Sequence, residues 1–473
     1  MSKLQVVLVN FIVMSDEEEL LEDFVELEEG TLIRDTWGVV RSLGKGAYGH
    51  VYHVINIKNG TQAALKAESK AQSERVLKME KNVLQGFKGI KDTIQLISMG
   101  TTDTYSYIVM TMCGADLTRI CTLVGTLSDG TLIRLGIRTL LALKQLHEIG
   151  FIHRDVKPCN FAVSTSQPRI IHVFDFGMTR KYAYRNEKNE WLIKRRRNRV
   201  SFRGTLRYCS LAVHKRLEQG RVDDLWSWSY MIVELRDPLP WAHLTHPETV
   251  LGVKEETSIE KLCKTGTSLI FLPIMKHFQT LSYFDRPDYQ MIFNLLLNEL
   301  KKTNVNITDP YDWDGKITEP GVEEKIAQVC DRLGVKFKNF PKTESFERSE
   351  SDELLYLQQQ FDPHPEDVPG GEKYEEKRKK GQGSSLTPHN NASQARSSAS
   401  LITSKSDAAL KSSEQSQDKL NSSKRRAKKG MASNTSKDRD KNEEKDKERP
   451  REKLKERNKS EEKKENLGGM EKT

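Results

Sequence analysis

The chain is expected to adopt an α+β fold of two lobes, a small β-rich one followed by a larger helical one, with a disordered, charge-rich C-terminal tail. Three observations point there. Short β-branched runs punctuated by Gly44, Gly46, Gly49 and Asn59-Gly60 fill the first part of the chain, as hairpins require. Helical periodicities dominate from Leu132 to Lys302. Finally, the stretch from Asn421 to Asn466 carries 18 basic and 11 acidic residues, with Ala427, Met431, Ala432 and Leu454 as its apolar side chains. So little apolar surface cannot offset the entropy of ordering the backbone.

In chain order, strands are expected at Trp37–Val40, Val51–Ile55 and Ala63–Lys66, where apolar and β-branched residues lie between turn signals. A helix follows from Ser73 to Leu84, with Val76, Leu77, Met79, Val83 and Leu84 broadly on one side, and then a β-branched run from Tyr105 to Met112. The larger lobe contributes helices at Leu132–Ile149, Asp223–Leu235 and Tyr289–Lys302. This divides the chain into a disordered extension (1–29), a folded domain (30–315), a mixed linker (316–380) and the tail (381–473). No internal repeat of solenoid period is visible.

Composition removes several function classes. Most of the net charge of +9 belongs to the tail, so it is no argument for a nucleic-acid-binding domain. No aromatic residues are interleaved with those charges for base stacking. The six cysteines form no C-x-x-C pair, which fits reduced thiols in an intracellular protein rather than zinc or a disulfide framework. Leu4–Val13 is too short to span a bilayer and is followed by an acidic run, so residues 1–13 stand outside the functional reading, with a weak secretory signal as the alternative. The expected setting is cytoplasmic, with nuclear entry if Lys424-Arg425-Arg426-Ala427-Lys428-Lys429 acts as an import signal rather than a solvated charge run.

Gly44-Lys45-Gly46-Ala47-Tyr48-Gly49-His50-Val51 matches G-x-G-x-x-G-x-V, a spacing that lets backbone N–H groups approach phosphate oxygens. Dinucleotide-binding loops share the glycine spacing, but this one continues as a strand and is followed by Ala64-Leu65-Lys66, whose ammonium can reach a nucleotide's phosphates. Glu80, on the next helix, can hold Lys66 in place or simply pair with Lys78 or Lys81. His153-Arg154-Asp155-Val156-Lys157-Pro158-Cys159-Asn160 fits H-R-D-x-x-x-x-N. In that pattern Asp155 accepts a hydroxyl proton, Lys157 neutralises charge on the transferred phosphoryl and Asn160 helps hold magnesium. Asp175-Phe176-Gly177 follows behind the strand-like Ile170–Phe174, and the Asp175 carboxylate is a hard oxygen ligand suited to Mg²⁺.

Residues from about Trp37 to Trp313, some sixty percent of the chain, resemble the eukaryotic protein kinase domain, and within it the casein kinase I superfamily, nearest the tau-tubulin kinase branch. The resemblance rests on Leu77-Lys78-Met79-Glu80, Phe202-Arg203-Gly204-Thr205-Leu206-Arg207-Tyr208, Asp223-Asp224-Leu225-Trp226-Ser227, Leu239-Pro240-Trp241, Pro287-Asp288-Tyr289-Gln290 and Asp312-Trp313. It implies a bilobal protein kinase fold, phosphoryl transfer to Ser/Thr hydroxyls, and ATP with Mg²⁺ (Mn²⁺ as the alternative) held by Asn160 and Asp175. It implies catalytic roles for Asp155, Lys157, Lys66 and Glu80. ATP would lie against Leu43, Gly44, Lys45, Gly46, Ala47, Tyr48, Gly49, His50, Val51, Ala64, Lys66, Met110, Thr111 and Cys113, with Met110 as gatekeeper before the hinge Thr111-Met112-Cys113. Leu84, His153 and Phe176 would form a spine, and Asp224 would brace the catalytic loop. Ser210-Leu211-Ala212 stands where most kinases have Ala-Pro-Glu, so Arg286 loses the usual glutamate partner.

Lys194-Arg195-Arg196-Arg197-Asn198-Arg199, with Arg203 and Arg207, suggests a docking surface for acidic or already phosphorylated protein substrates, Thr205 lying among them. A solvated basic loop or an import signal is the bland reading of the same run. The expected partners are protein substrates of a monomeric enzyme, with no dedicated nucleic-acid domain and no membrane span. Three competitors remain: a pseudokinase scaffold, a small-molecule phosphotransferase and a nucleic-acid binder driven by the tail. The long segment from Gly177 to Tyr208 stands against the second.

Overall fold

The central strands of the first 110 residues are buried in continuous runs, as they must be where a sheet is covered on both faces. The structure is a computed structural model and describes residues 25–46, 49–71, 75–264, 266–337 and 348–371. The expectations for residues 1–13, the 381–473 tail, its basic run at 424–429, and Ala47 and Tyr48 lie outside the described residues.

The small lobe contains β1 (Leu32–Ile33), β2 (Trp37–Gly46), β3 (Gly49–Asn56), β4 (Gln62–Ser69), α1 (Arg75–Gly86), β5 (Leu96–Thr101) and β6 (Tyr105–Thr111). The strands form one antiparallel sheet in the order β1-β2-β3-β4-β6-β5. Gly60 turns β3 into β4 with φ +75°, a conformation glycine adopts without Cβ strain. On one face Trp37, Val39, Tyr52, Val54, Leu65, Ala67, Tyr107 and Val109 form a core that Val25 and Leu27 cover. The Tyr52 hydroxyl donates to the Val25 carbonyl at 2.7 Å and accepts from Leu27 N–H at 3.0 Å. The folded part therefore reaches back to at least Val25, within the stretch expected to be disordered. By alternation, Val51, Ala64 and Lys66 look the other way, toward the second lobe.

The larger lobe begins with β7 (Cys113–Asp116), α2 (Leu117–Val124) and α3 (Asp129–Glu148). Asp116 caps α2 by accepting from Thr118 and Arg119 N–H, and Ser128 caps α3 from Thr131 N–H. Buried from Gly130 to His147, α3 is the central post of the lobe. Next come β8 (Phe151–Ile152), β9 (Phe161–Ser164), β10 (Ile171–Val173), β11 (Arg180–Lys181), β12 (Ala183–Arg185) and β13 (Trp191–Ile193). The helices α4 (Leu211–His214), α5 (Arg221–Glu234), α6 (Pro247–Glu256), α7 (Ile259–Leu262), α8 (Phe271–Thr280) and α9 (Tyr289–Leu300) complete it. Trp228, on α5, is wholly buried and donates its indole N–H to Thr139 on α3 at 2.8 Å. The expected helices are all present, their ends shifted by at most three residues; α1 is described from Arg75.

The fold continues past residue 315. Helix α10 (Val322–Arg332) lays Ile326, Val329 and Cys330 on Val40 and Ile55 of the small-lobe sheet. Helix α11 (Glu350–Phe361) docks on the large lobe, where the Phe361 ring stacks on Phe293 with centroids 4.5 Å apart. Glu353 pairs with buried Arg138 of α3 at 2.5 Å and with Arg348 at 2.9 Å. Residues 362–371 then run along the lobe as a strap, with Val368 fully buried among Ile152, Tyr182, Ala183, Ile193 and Tyr283. The strap resolves the fate of Arg286, which ion-pairs with Glu148 at 2.8 Å and Asp367 at 2.7 Å instead of an Ala-Pro-Glu glutamate.

Candidate active site

Strand register brings the glycine-rich turn over Lys66. Gly44 pairs with Val51, and Val51 with Lys66 on the next strand. Gly49 has φ +135°, and a Cβ there would meet the Ala67 carbonyl oxygen at 2.6 Å. Glycine is therefore required at that corner on two grounds. Leu43, Gly44, Lys45 and Gly46 are exposed along β2. Lys45 reaches back to pair with Glu26. The His50 ring lies on the opposite face of β3 from Val51, bonded to Ser42 Oγ and to the Tyr52 hydroxyl, each at 2.7 Å. Of His50, only the backbone borders the cleft.

Lys66 is buried and its Nζ lies 2.6 Å from Glu80 Oε1 on α1 and 3.6 Å from Asp175 Oδ1. Burial alone pushes the ammonium down, but Glu80 and Asp175 outweigh it and hold the Lys66 ammonium above its usual value. The charge is thus fixed, pointing at a carboxylate whose side chain remains 42% exposed. Asp175 sits in the left-handed region at φ 62°, its carboxylate accepting from Gly177 N–H at 3.4 Å. Burial pushes its carboxyl up, and Lys66 and His153 more than offset this, keeping it ionised. Such backbone strain persists only where the surroundings over-determine it.

Asp155 lies between three partners. Lys157 Nζ is 2.8 Å from Oδ2, Thr205 Oγ1 donates to Oδ1 at 2.7 Å, and Asn160 Nδ2 donates to the Asp155 carbonyl at 2.8 Å. That last bond orients the Asn160 amide and leaves its carbonyl oxygen as the metal-binding end. Asp224, buried on α5, accepts from the N–H groups of His153 at 2.7 Å and Arg154 at 2.8 Å, and from His147 Nε2 at 2.8 Å. The loop is thus suspended from one carboxylate. The Phe176 ring packs between Phe87 at 5.8 Å and His153 at 5.9 Å, with Leu84 buried in the same core.

Along the connection between lobes, Met110 and Ala64 are register partners on β6 and β4. Thr111 is tied to Gln95, whose N–H donates to Thr111 Oγ1 at 2.9 Å. Met112 accepts from Thr165 Oγ1 at 3.1 Å. Burial pushes the Cys113 thiol up to about 12, which makes it an apolar contact rather than a nucleophile.

A profile of the protein kinase domain matches residues 37–302, more than half of the chain. This chain belongs to the protein kinase family. A Caenorhabditis elegans protein provisionally named a serine/threonine-protein kinase is 35% identical to this kinase over 315 residues, spanning 65% of this chain and 89% of the relative. Another from the same organism, provisionally named a casein kinase I, is 30% identical over 299 residues, covering 60% of this chain and 85% of the relative. A third, named an inactive tau-tubulin kinase, is 34% identical over 230 residues, covering 45% and 77%. Kinases of this family use ATP and a divalent metal, and they act on proteins. Asp175 and Asn160 suit a metal that takes one or two side-chain oxygens and completes its shell with phosphate and water. Among the described residues no helix is long and apolar enough to cross a membrane.

The basic run divides. Arg195, Arg196, Arg197, Arg199 and Arg203 are all exposed, but Arg197 is paired with Glu218, and half-buried Arg207 with Glu234 at 3.4 Å and the Ala242 carbonyl at 2.6 Å. Thr205 is bonded to Asp155 rather than turned outward. Two groups of consequence carried no local sequence signal. Lys254 of α6 donates to the carbonyls of Leu206 at 2.8 Å and Cys209 at 2.6 Å, beneath Tyr230 and Trp241, and so anchors the segment that lacks Ala-Pro-Glu. Glu218 is the other.

Proposed function

We propose that this kinase transfers the γ-phosphoryl group of ATP to serine or threonine hydroxyls of protein substrates, and favours acidic or already phosphorylated ones. The observation that carries the reading is the convergence of Lys66, Asp155, Lys157, Asn160 and Asp175 on one cleft, with the Lys66–Glu80 pair closed at 2.6 Å. Asp155 accepts the proton of the attacking hydroxyl, and Thr205, donating to its other oxygen, fixes the carboxylate's rotation. Lys157 stands beside the proton acceptor, where it offsets negative charge gathered on the phosphoryl oxygens. Lys66, held by Glu80, grips the nucleotide's phosphates from the other side. Asn160 and Asp175 would hold Mg²⁺, which would supply positive charge to offset that of the phosphates.

The substrate preference is supported by Arg195, Arg196, Arg199 and Arg203, exposed guanidinium groups on the segment beside Asp155. We place the enzyme in the cytoplasm or nucleus as a monomer. The rival reading, a catalytically weak scaffold, draws on the relative named inactive. Against it stands the assembled set of Lys66, Asp155, Asn160 and Asp175. An array of Ser/Thr peptides with acidic, neutral, basic and phosphorylated neighbours tests both readings, with Asp155→Asn as the blank. Labelling concentrated on acidic and phosphorylated peptides supports the proposal. Indifference to those neighbours removes the preference, and wild-type labelling equal to the blank removes the activity.

A further inference from the structure

A carboxylate from the turn between α4 and α5 lies among cations that otherwise face one another. The Glu218 side chain is 1% exposed. Arg197 grips both its oxygens, Nη2 donating to Oε1 at 3.0 Å and Nε to Oε2, and Arg180 Nε lies 3.3 Å from Oε1. Arg180 follows the Asp-Phe-Gly stretch on β11, and Arg197 belongs to the basic run after β13. Arg154, the arginine of the catalytic loop, is close enough to feel the same charges. Burial, Arg180 and Arg203 push its guanidinium down to about 10, while Glu218 and Asp224 oppose them. Lys194 is lowered by burial, Arg180, Lys181 and Arg197, again against Glu218. The neighbouring Gln219 adds a tie, its side-chain amide donating to the Arg203 carbonyl at 3.0 Å. Arginines from β11 and the segment after β13 thus pair with one anion, while Arg154 of the catalytic loop donates its Nε to the Met178 carbonyl at 2.6 Å.

Partly buried cations repel one another unless an anion pairs with them. In kinases whose segment is ordered by phosphorylation, a phosphate supplies that anion through new arginine pairs. We propose that Glu218 is the resident anion of this kinase: a positioning residue that ties β11 and the basic run after β13 to the turn before α5, and so holds the segment from Arg180 to Thr205 in place without phosphorylation. Resting on the activity proposed above, this also narrows substrate recognition. Arg180 and Arg197 are committed to Glu218, which leaves Arg195, Arg196, Arg199 and Arg203 to read a substrate's acidic or phosphorylated side chain. Two further contacts agree. The Thr205 hydroxyl is bonded to Asp155 at 2.7 Å, so a phosphate there would set a dianion against the proton acceptor. Ser201, the other serine or threonine in the segment, is exposed and outside the arginine cluster's pairs.

The test uses the full chain as wild type, Glu218→Ala, Glu218→Asp and Ser201→Ala, each treated with a phosphatase that is then removed. Transfer to an acidic peptide is measured with sodium sulfate and with sodium chloride at matched ionic strength. Trypsin cleavage within Lys194–Arg199 is followed in parallel, because it reports the segment without needing activity. The proposal expects dephosphorylated wild type and Ser201→Ala to keep their kcat. Glu218→Ala should lose roughly tenfold to a hundredfold in kcat with the KM for ATP unchanged, and should become trypsin-sensitive. Sulfate, but not chloride, should restore both protection and rate, and Glu218→Asp should retain part of each. Protection of Glu218→Ala equal to wild type would overturn it, as would a loss that sulfate does not reverse or a collapse of wild-type kcat on dephosphorylation. A wild type inactive on every peptide would remove the activity, while trypsin protection would still judge Glu218.

Discussion

Replacing Glu353 by alanine tests whether α11 is part of the kinase fold or an attachment to it. Glu353 and Arg138 face each other at 2.5 Å with side chains 5% and 3% exposed, and Arg348 adds a second contact at 2.9 Å. Removing one partner of such a pair leaves the other as an uncompensated buried charge, which costs about 3–5 kcal/mol. The lower figure already shifts the folded-to-unfolded ratio by roughly a hundredfold. Urea unfolding of the full chain, followed by tryptophan fluorescence, measures it. Replacing both partners, as Arg138→Met with Glu353→Leu, should recover most of the loss, since a matched apolar pair needs no compensation. The pH dependence has a definite sign. Burial pushes the Glu353 carboxyl up, but Arg138 and Arg348 outweigh it and hold it below its usual value. Its contribution is therefore present above the ordinary glutamate range and is lost as pH falls through the lowered folded value. A Glu353→Ala protein within about 1 kcal/mol of wild type would show that α11 is an attachment and not part of the kinase fold.

Other consequences follow from the same geometry. Gly49→Ala should raise the KM for ATP by roughly tenfold, because the added Cβ meets the Ala67 carbonyl oxygen at 2.6 Å, and steady-state kinetics at saturating peptide would show it. Lys254→Met should loosen the anchor at Leu206 and Cys209 and raise the KM for peptide more than that for ATP. Burial pushes the Lys254 ammonium down to about 8, so between there and the usual lysine value the unfolded chain binds more protons. Wild type should accordingly gain stability from this group as pH rises across that window, and the methionine variant should lack the gain in pH-dependent denaturation. Asp367→Asn in the strap should weaken its hold on Arg286, which hydrogen exchange would report as faster opening of residues 362–371.

Where chemistry is confined to a few neighbouring residues, the sequence was a good guide to placement. The glycine-rich turn, the stretch from His153 to Asn160 and the triplet at Asp175 act through local spacing, and the chain brings them together around Lys66. Contacts across long separations were not legible. Thr205 meets Asp155 across 50 residues, and Glu218 meets Arg197 across 21, with no periodicity to mark either. The helices beyond residue 315 did carry a signal: Ile326, Val329, Cys330 and Leu333 recur at helical spacing, as do Leu354, Leu357 and Phe361. What their spacing could not show is which surface each would cover. For the strap the signal was weaker still, since Val368 stands alone among polar residues and prolines.

If this cleft performs phosphoryl transfer, Asp155 is its proton acceptor. Single-turnover mixing of γ-labelled ATP and Mg²⁺ with a phosphorylated acidic peptide, in wild type and Asp155→Asn, tests it most directly when nucleotide binding is followed by fluorescence in the same samples. The expected result is equal nucleotide binding in both proteins, with labelled peptide forming in wild type and roughly a hundredfold or more slower in the variant. Equal transfer by the two proteins, or tight nucleotide binding with no labelled peptide from either, would contradict it.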